Sequence, residues 1–354
     1  MMERIAILGA GGFIGNRAME MLTLAGRYDV RPVVRQAQSL ALASRFALDG
    51  RIADGRDRSA LEAAFAGCSG VVHAMAGDPE TIIGAIEPAY RAAEAAGVKR
   101  LIYLSSASVH GQSPAPGTTE QTPLSDRQPI AYNNAKVQAE RLLLDLRQRG
   151  DVEVTILRPG IVHGPRSYWI GGFADELLAG QAYLVDGGRG ICNGIYVDNL
   201  VHAITLALQS DAADGEAYLL GDEETYSWAD LLAPVAAALG RSLDDLPEPG
   251  IERPPGLLSR LQGVRQLRRM ARSLPRPLKV ALRAGYRELA APAAISGPRP
   301  PLASLERSLL HRCAWKLPYD KAASDLGYAP VVTLAEAQRR TLGWLSFAGY
   351  SVAP

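Results

Sequence analysis

The sequence predicts an α/β fold, a doubly wound parallel sheet with a smaller C-terminal lobe, and three observations predict it. Apolar runs at 5–8, 30–34, 70–74, 100–104 and 152–157 alternate with alanine-rich helical stretches such as 59–66 and 85–96. Strands that alternate with helices line up in parallel, because each helical crossover returns the chain to the end of the sheet from which the preceding strand began. The first run, Arg4-Ile-Ala-Ile-Leu8, enters the glycine turn Gly9-Ala-Gly-Gly12-Phe-Ile-Gly15 and then a helical stretch at 16–25. Third, 354 residues at 47% hydrophobic and net charge +1 can bury a sizeable core and are long for one compact domain.

Taken in order, the second run contains Pro32, which cannot donate to a ladder and weakens the case for a central strand there. The third and fourth runs, with Val71-Val-His-Ala74 and Arg100-Leu-Ile-Tyr-Leu104, carry no such break. After Pro165 the pattern loosens into loops containing Trp and Gly, then returns to a strand and a helix across 194–209. Ser227-Trp-Ala-Asp230 reads as an N-cap with an acidic third position, opening a helix to Leu239, and Thr333-Leu-Ala-Glu336 reads as a capping box for the last helix. The stretch from about 248 to 301 differs in character, with Arg253, Arg260, Arg265, Arg268, Arg269 and further cations among many prolines. It reads as an insertion, either a solvated surface or a basic amphipathic face able to touch membrane phosphates weakly. Near-neutral total charge and the scarcity of aromatic residues in that stretch argue against nucleic acid as a partner.

Cys68, Cys192 and Cys313 are odd in number and widely spaced, so neither a disulfide framework nor a metal site is expected. No apolar run approaches the ~18 residues of a membrane span, and the first strand begins too early for a leader. A cytoplasmic location is the expectation.

Tyr132 and Lys136 carry the chemistry. Four residues apart in Ile130-Ala-Tyr-Asn-Asn-Ala-Lys136, they share one face if the segment is helical. A phenol titrates near pH ~10, so base catalysis near neutrality needs a drop of about three units, roughly 4 kcal/mol. An ammonium one turn away supplies part of it. The glycine turn in turn permits close approach of a pyrophosphate to the backbone at a helix N-terminus. Its spacing is G-x-x-G-x-x-G. A G-x-G-x-x-G form read from Gly9 would need glycine where Ile14 stands.

The glycine turn, the Leu104-Ser-Ser-Ala-Ser-Val-His-Gly111 segment, the Tyr132/Lys136 pair, Arg158-Pro-Gly-Ile-Val-His-Gly-Pro165 and Tyr196-Val-Asp-Asn199 together resemble the extended short-chain dehydrogenase/reductase family, the NAD-dependent epimerase/dehydratases. The resemblance implies a Rossmann fold, with residues 1–165 binding dinucleotide and 190–220 returning to that domain. Residues 166–189 and 221–354 then form the substrate lobe. It implies catalysis by Ser106, Tyr132 and Lys136, and cofactor contacts at Gly9, Gly12, Phe13, Ile14, Gly15, Arg35, Asp54, Ala74 and Lys136. By the resemblance Ser106, five residues before Gly111, holds the hydroxyl against the substrate oxygen; Ser106 and Ser108 share one side of the strand end and Ser105 the other. Arg35, without an acid beside it, suits the 2′-phosphate of NADP better than the 2′-hydroxyl of NAD. Arg17 could assist. A homodimer through the helix of Tyr132 is implied as well.

The small-molecule substrate is narrowed by one feature. Many relatives acting on nucleotide-sugars carry an Asn shortly after the Arg of the sixth strand, and here Arg158-Pro159-Gly160-Ile161 lacks it. A secondary alcohol or ketone is the first expectation; a nucleotide-sugar epimerase or dehydratase that recycles its cofactor is the alternative, and a nicotinamide-binding regulator without turnover the third. His110 and His163 stand where the family has tyrosine. With Ser108, Arg166 and Tyr168 they are candidate pocket residues.

Overall fold

The computed structural model describes residues 2–251 and 301–352. Nearly all of the basic insertion, and the expectation of membrane contact attached to it, lies outside the described residues.

A seven-stranded parallel sheet forms the body. Its strands are β1 (Arg4–Leu8), β2 (Asp29–Val34), β3 (Arg51–Ile52), β4 (Gly70–His73), β5 (Arg100–Leu104), β6 (Glu153–Pro159) and, after three short strands outside the sheet, β10 (Ala217–Leu220). The order across the sheet is β10-β6-β5-β4-β1-β2-β3, so the winding reverses between β1 and β4. Ligands of open α/β sheets bind outside the carboxyl ends of strands at such a reversal. Helices α1 (Phe13–Ala25) and α7 (Val197–Gln209) bury Met19, Leu22, Val201 and Ile204 on one face of the sheet. On the other face, α2 (Arg58–Phe65), α3 (Pro79–Gly84), α4 (Ile86–Ala95) and α5 (Ala131–Gln148) bury Leu61, Phe65, Tyr90 and Leu143. Two apolar faces on the sheet require two helical layers, as the uniformly buried β5 requires partners on both sides.

Pro32 does lie inside β2, with a strand on either side. Val33 O accepts from the N–H groups of Gly9 and Ala10, and Val34 O from Ala53. Backbone groups therefore face β1 and β3 alternately, and Pro32 faces the β3 side, where β3 pairs only with Val33 and Val34. No ladder bond is lost at the proline.

The second lobe has its own core of Phe173, Leu177, Trp228, Leu231, Val235 and Leu345. It is built from α6 (Tyr168–Leu178), α8 (Trp228–Ala238), a short helix Leu305–Leu310 and the final helix Leu334–Phe347. β7 (Ile161–His163) pairs with β9 (Gly194–Tyr196), and β8 (Ile191–Cys192) with β11 (Tyr226–Ser227), joining the lobe to the sheet. Ser227 and Asp230 form the full capping box of α8. Thr333 caps the last helix by accepting from Glu336 N, but the Glu336 carboxylate accepts from Arg339 and Arg340 instead of turning back.

Candidate functional site

Helix α1 begins at Phe13, three residues before the stretch legible in the sequence, because the glycine turn itself leads into it. Gly9 has φ 92°, a backbone that disfavours side chains, and packs on the Ala74 carbonyl. A Cβ at Gly15 would overlap the Gly9 carbonyl, so this position requires glycine for α1 to sit against the turn. Gly12 is the N-cap and provides no side-chain cap to the first turn. Ala74 N donates to Leu8 O at 2.8 Å, closing the ends of β1 and β4 beneath the turn. A backbone turn without side chains at a helix N-terminus is the kind of cradle that suits a pyrophosphate. At the rim, Arg35 is exposed one residue beyond β2. Asp54 accepts from Arg56 N at 2.9 Å, and that bond, with the Arg56 and Arg35 charges, lowers its pKa. Arg17 is engaged elsewhere, in two bonds of 2.6 and 2.7 Å to Asp198.

Tyr132 and Lys136 lie one turn apart on α5, with the Lys136 Nζ 5.9 Å from the Tyr132 ring centroid. Lys136 is 2% exposed, and its ammonium donates to Leu104 O at 2.7 Å and the Tyr103 hydroxyl at 3.3 Å. Both acceptors are neutral, so burial pulls its pKa down to about 8, with the Glu140 charge opposing. Burial pushes the Tyr132 phenol up; a hydrogen bond with Ser106 acts the other way, and the charge of Glu306 adds to the rise. In this state the phenol is a proton donor. Beneath the pair, His73 lies edge-on to Tyr103, and burial with the Lys136 charge lowers it to about 4, leaving it neutral.

Of these side chains Tyr132, with Ser106, opens on a cavity of about 560 Å³ at the junction of the two lobes. Ser106, Ser108, Tyr132, Phe13, Ile14, Arg166 and Tyr168 line it, and so does Trp169. Arg166 has φ 71° and donates to Asn16 Oδ1 at 2.6 Å. His110 and His163 do not line it. His110 lies 3.3 Å from Arg158, whose charge together with burial lowers its pKa to about 4. His163 is buried between Asp222 and Tyr226, each at 3.0 Å. Asn193, Trp228, Glu306, Leu310 and Cys313 also line the cavity and went unnoticed as site residues in the sequence. Gly160 lies against Asn193: a Cβ there would overlap the Asn193 carbonyl oxygen, which accepts from Ile161 N at 2.7 Å.

The profile of the NAD dependent epimerase/dehydratase family matches residues 5–221. Among curated proteins, a UDP-glucose 4-epimerase of Vibrio cholerae is 27% identical over 70% of this chain and 80% of its own length. A 3beta-hydroxysteroid-dehydrogenase/decarboxylase of Arabidopsis thaliana is 24% identical over 95% of this chain and 78% of its own. A 3-diazoavenalumate denitrifying reductase of a Streptomyces species is 30% identical over 59% and 73%. Among solved structures, the UDP-glucose 4-epimerase of Thermotoga maritima superposes with a TM-score of 0.70 at 21% identity, covering 98% of this chain and 99% of that one. A dTDP-glucose 4,6-dehydratase of Streptomyces venezuelae superposes at 0.73 with 20% identity, covering 97% of each. These likenesses in structure establish the shared fold.

Proposed function

Because the chain belongs to the NAD-dependent epimerase/dehydratase family, a family of enzymes, we propose that it transfers hydride between nicotinamide and a secondary alcohol or ketone, with Tyr132 moving the proton on the substrate oxygen. Membership of an enzyme family sets aside the regulator without turnover. The observation that carries the reading is that Tyr132 and Ser106 stand together on the wall of one cavity whose other lining is largely apolar.

The glycine turn with Phe13 and Ile14 would hold the pyrophosphate, and Ala74 and Lys136 would face the nicotinamide half. The bound nicotinamide supplies or accepts the hydride. Ser106 orients the substrate oxygen. In reduction, hydride adds to the carbonyl carbon, the π pair moves to oxygen, and the neutral Tyr132 phenol gives its proton to that oxygen. Oxidation runs the same proton back. The Lys136 ammonium, one turn away, favours the phenolate that reduction leaves behind.

Arg35, exposed at the end of β2 and without an ion-pair partner among the described residues, supports NADP over NAD; Asp54 would meet the adenine. Among the described lining residues the one cation is Arg166, already bonded to Asn16. A nucleotide diphosphate would find little to neutralise it there, which supports an alcohol or ketone of mostly apolar body. Similarity to a UDP-glucose 4-epimerase favours a second reading, epimerisation or dehydration of a nucleotide-sugar with the cofactor restored within each turnover. Absorbance at the reduced-nicotinamide band separates the two, since the first predicts a stoichiometric change and the second product without one. Tyr132→Phe is expected to lower turnover about 10²–10⁴-fold with cofactor affinity unchanged; equal activity would remove Tyr132 from the mechanism. Dimerisation through α5 and a cytoplasmic location belong to the same proposal, and sedimentation at low concentration tests the first. No helix among the described residues is long and apolar enough to cross a membrane.

A further inference from the structure

Glu306 is the acid of the cavity, and it reaches the site from the far end of the chain. It stands in the first turn of the helix Leu305–Leu310, half-buried, and lines both the cavity of Tyr132 and an adjoining one of about 600 Å³ that shares Tyr168 and Trp169. Its carboxyl is close enough to Tyr132 for its charge to act on the phenol. Burial raises its own pKa against the lowering charge of Arg307, which is itself paired with Glu176, and among the described residues no cation lies within ion-pair distance of the Glu306 carboxyl. A carboxyl partly drawn out of water without an ion pair of its own is costly, and such groups persist mostly where a ligand uses them.

Its orientation is built. Gln112, 8% exposed, donates through Nε2 to Glu306 Oε1 at 2.8 Å and to Asn133 Oδ1 at 3.3 Å. Asn133 Nδ2 donates to Gln128 Oε1 at 2.8 Å, and Gln128 Nε2 to Val109 O at 2.8 Å. Glu306 is thereby tied to the residue next to Tyr132, so the acid and the phenol hold a fixed relation across the cavity. A largely apolar pocket with an oriented carboxyl on its wall is suited to a ligand with a hydrogen-bond donor at a set distance from its reacting carbon.

We propose that Glu306 selects the substrate by accepting a hydrogen bond from a second donor, a hydroxyl group, on the alcohol or ketone that Tyr132 acts on. This rests on the oxidoreductase reading above. The substrate class is then a hydroxyketone or diol of largely apolar body, its reacting oxygen at Tyr132 and Ser106 and its second hydroxyl at Glu306.

The test uses the full chain with NADPH and matched ketones, cyclic and open-chain, each with and without one added hydroxyl at the α, β or γ position. In the wild type, kcat/KM for at least one hydroxyketone is expected to exceed that of its parent ketone by roughly 10- to 100-fold, the worth of a hydrogen bond to a charged acceptor. In Glu306→Leu the preference should fall to about one, with kcat/KM of the hydroxyketone falling by more than that of its parent ketone. Glu306→Gln, which keeps an acceptor of the same shape, should retain part of it. Turnover with no hydroxyl preference, or a loss in Glu306→Leu equal for both members of a pair, overturns the role of Glu306 and leaves the oxidoreductase reading standing. If no ketone or alcohol of the panel is turned over with either cofactor, the oxidoreductase reading falls and the role of Glu306 with it. Should Glu306→Leu not fold, Gln112→Leu, which releases the carboxyl from its support, is expected to blunt the same preference, and an unchanged ratio there counts against it.

Discussion

Two cations lie close to Glu140, buried almost equally, and their surroundings differ in one respect. Arg158, 5% exposed, meets both oxygens of Glu140, at 2.7 Å for the shortest bond, and the Ser105 hydroxyl closes the same carboxylate. Lys136, 2% exposed, has only the Leu104 carbonyl and the Tyr103 hydroxyl as acceptors. The guanidinium charge is answered where it stands, and its carboxylate is saturated. The ammonium charge is answered in part, and it lies one helical turn from Tyr132, which lines the cavity. A complete buried pair holds structure in place, whereas an incompletely compensated charge beside a site residue is retained for what it does to that neighbour.

That contrast breaks first at Lys136. Lys136→Met is expected to lower turnover by about 10²–10⁴-fold while changing the free energy of unfolding by about 1 kcal/mol or less, since the charge removed was poorly compensated. Arg158→Met should do the reverse: leaving Glu140 buried and unanswered costs about 3–5 kcal/mol, read by chemical denaturation, while any folded fraction keeps its activity. If both variants lose stability alike, the distinction between the two cations is void.

The pH dependence sharpens the same point. The folded pKa of Lys136 is about 8, below the ~10.4 of a free lysine. Below pH 8 both states carry the charge and the cost of burying it is fully present. As pH rises from about 8 towards 10.4 the folded state sheds its proton first, so this residue's contribution makes the protein more stable over that window. Turnover should fall over the same window as the ammonium is lost. Melting and rate profiles compared between the wild type and Lys136→Met check the sign; an activity that rises through pH 8 to 10 would overturn the role assigned to Lys136. The smallest effect belongs to the rim, where Arg35→Asp should weaken NADPH relative to NADH by about tenfold, the scale of one exposed charge–phosphate contact. An unchanged ratio would return the preference to NAD.

The sheet and its glycine turn were legible because the information is local. The turn needs glycine at fixed places, Tyr132 and Lys136 need one helical turn, and strand and helix periods show through a few residues at a time. The start of α1 at Phe13 was less so, since Phe13 and Ile14 read as part of the turn. The lobe wall was hidden for a physical reason. Gln112 and Glu306 are 194 residues apart in the chain, and Ser304-Leu-Glu306 announces a helix start without saying which wall it faces. His110 and His163 occupy pocket positions by resemblance, yet one sits beside Arg158 and the other lies buried between Asp222 and Tyr226.

The close fit of Gly160 on the Asn193 carbonyl limits what this part of the cavity wall can become. Any side chain at position 160 would drive its Cβ into backbone and disturb the bond from Ile161 to Asn193. A change there must come with a remodelled 193 loop, so the position is barred to point mutation and open only to paired change.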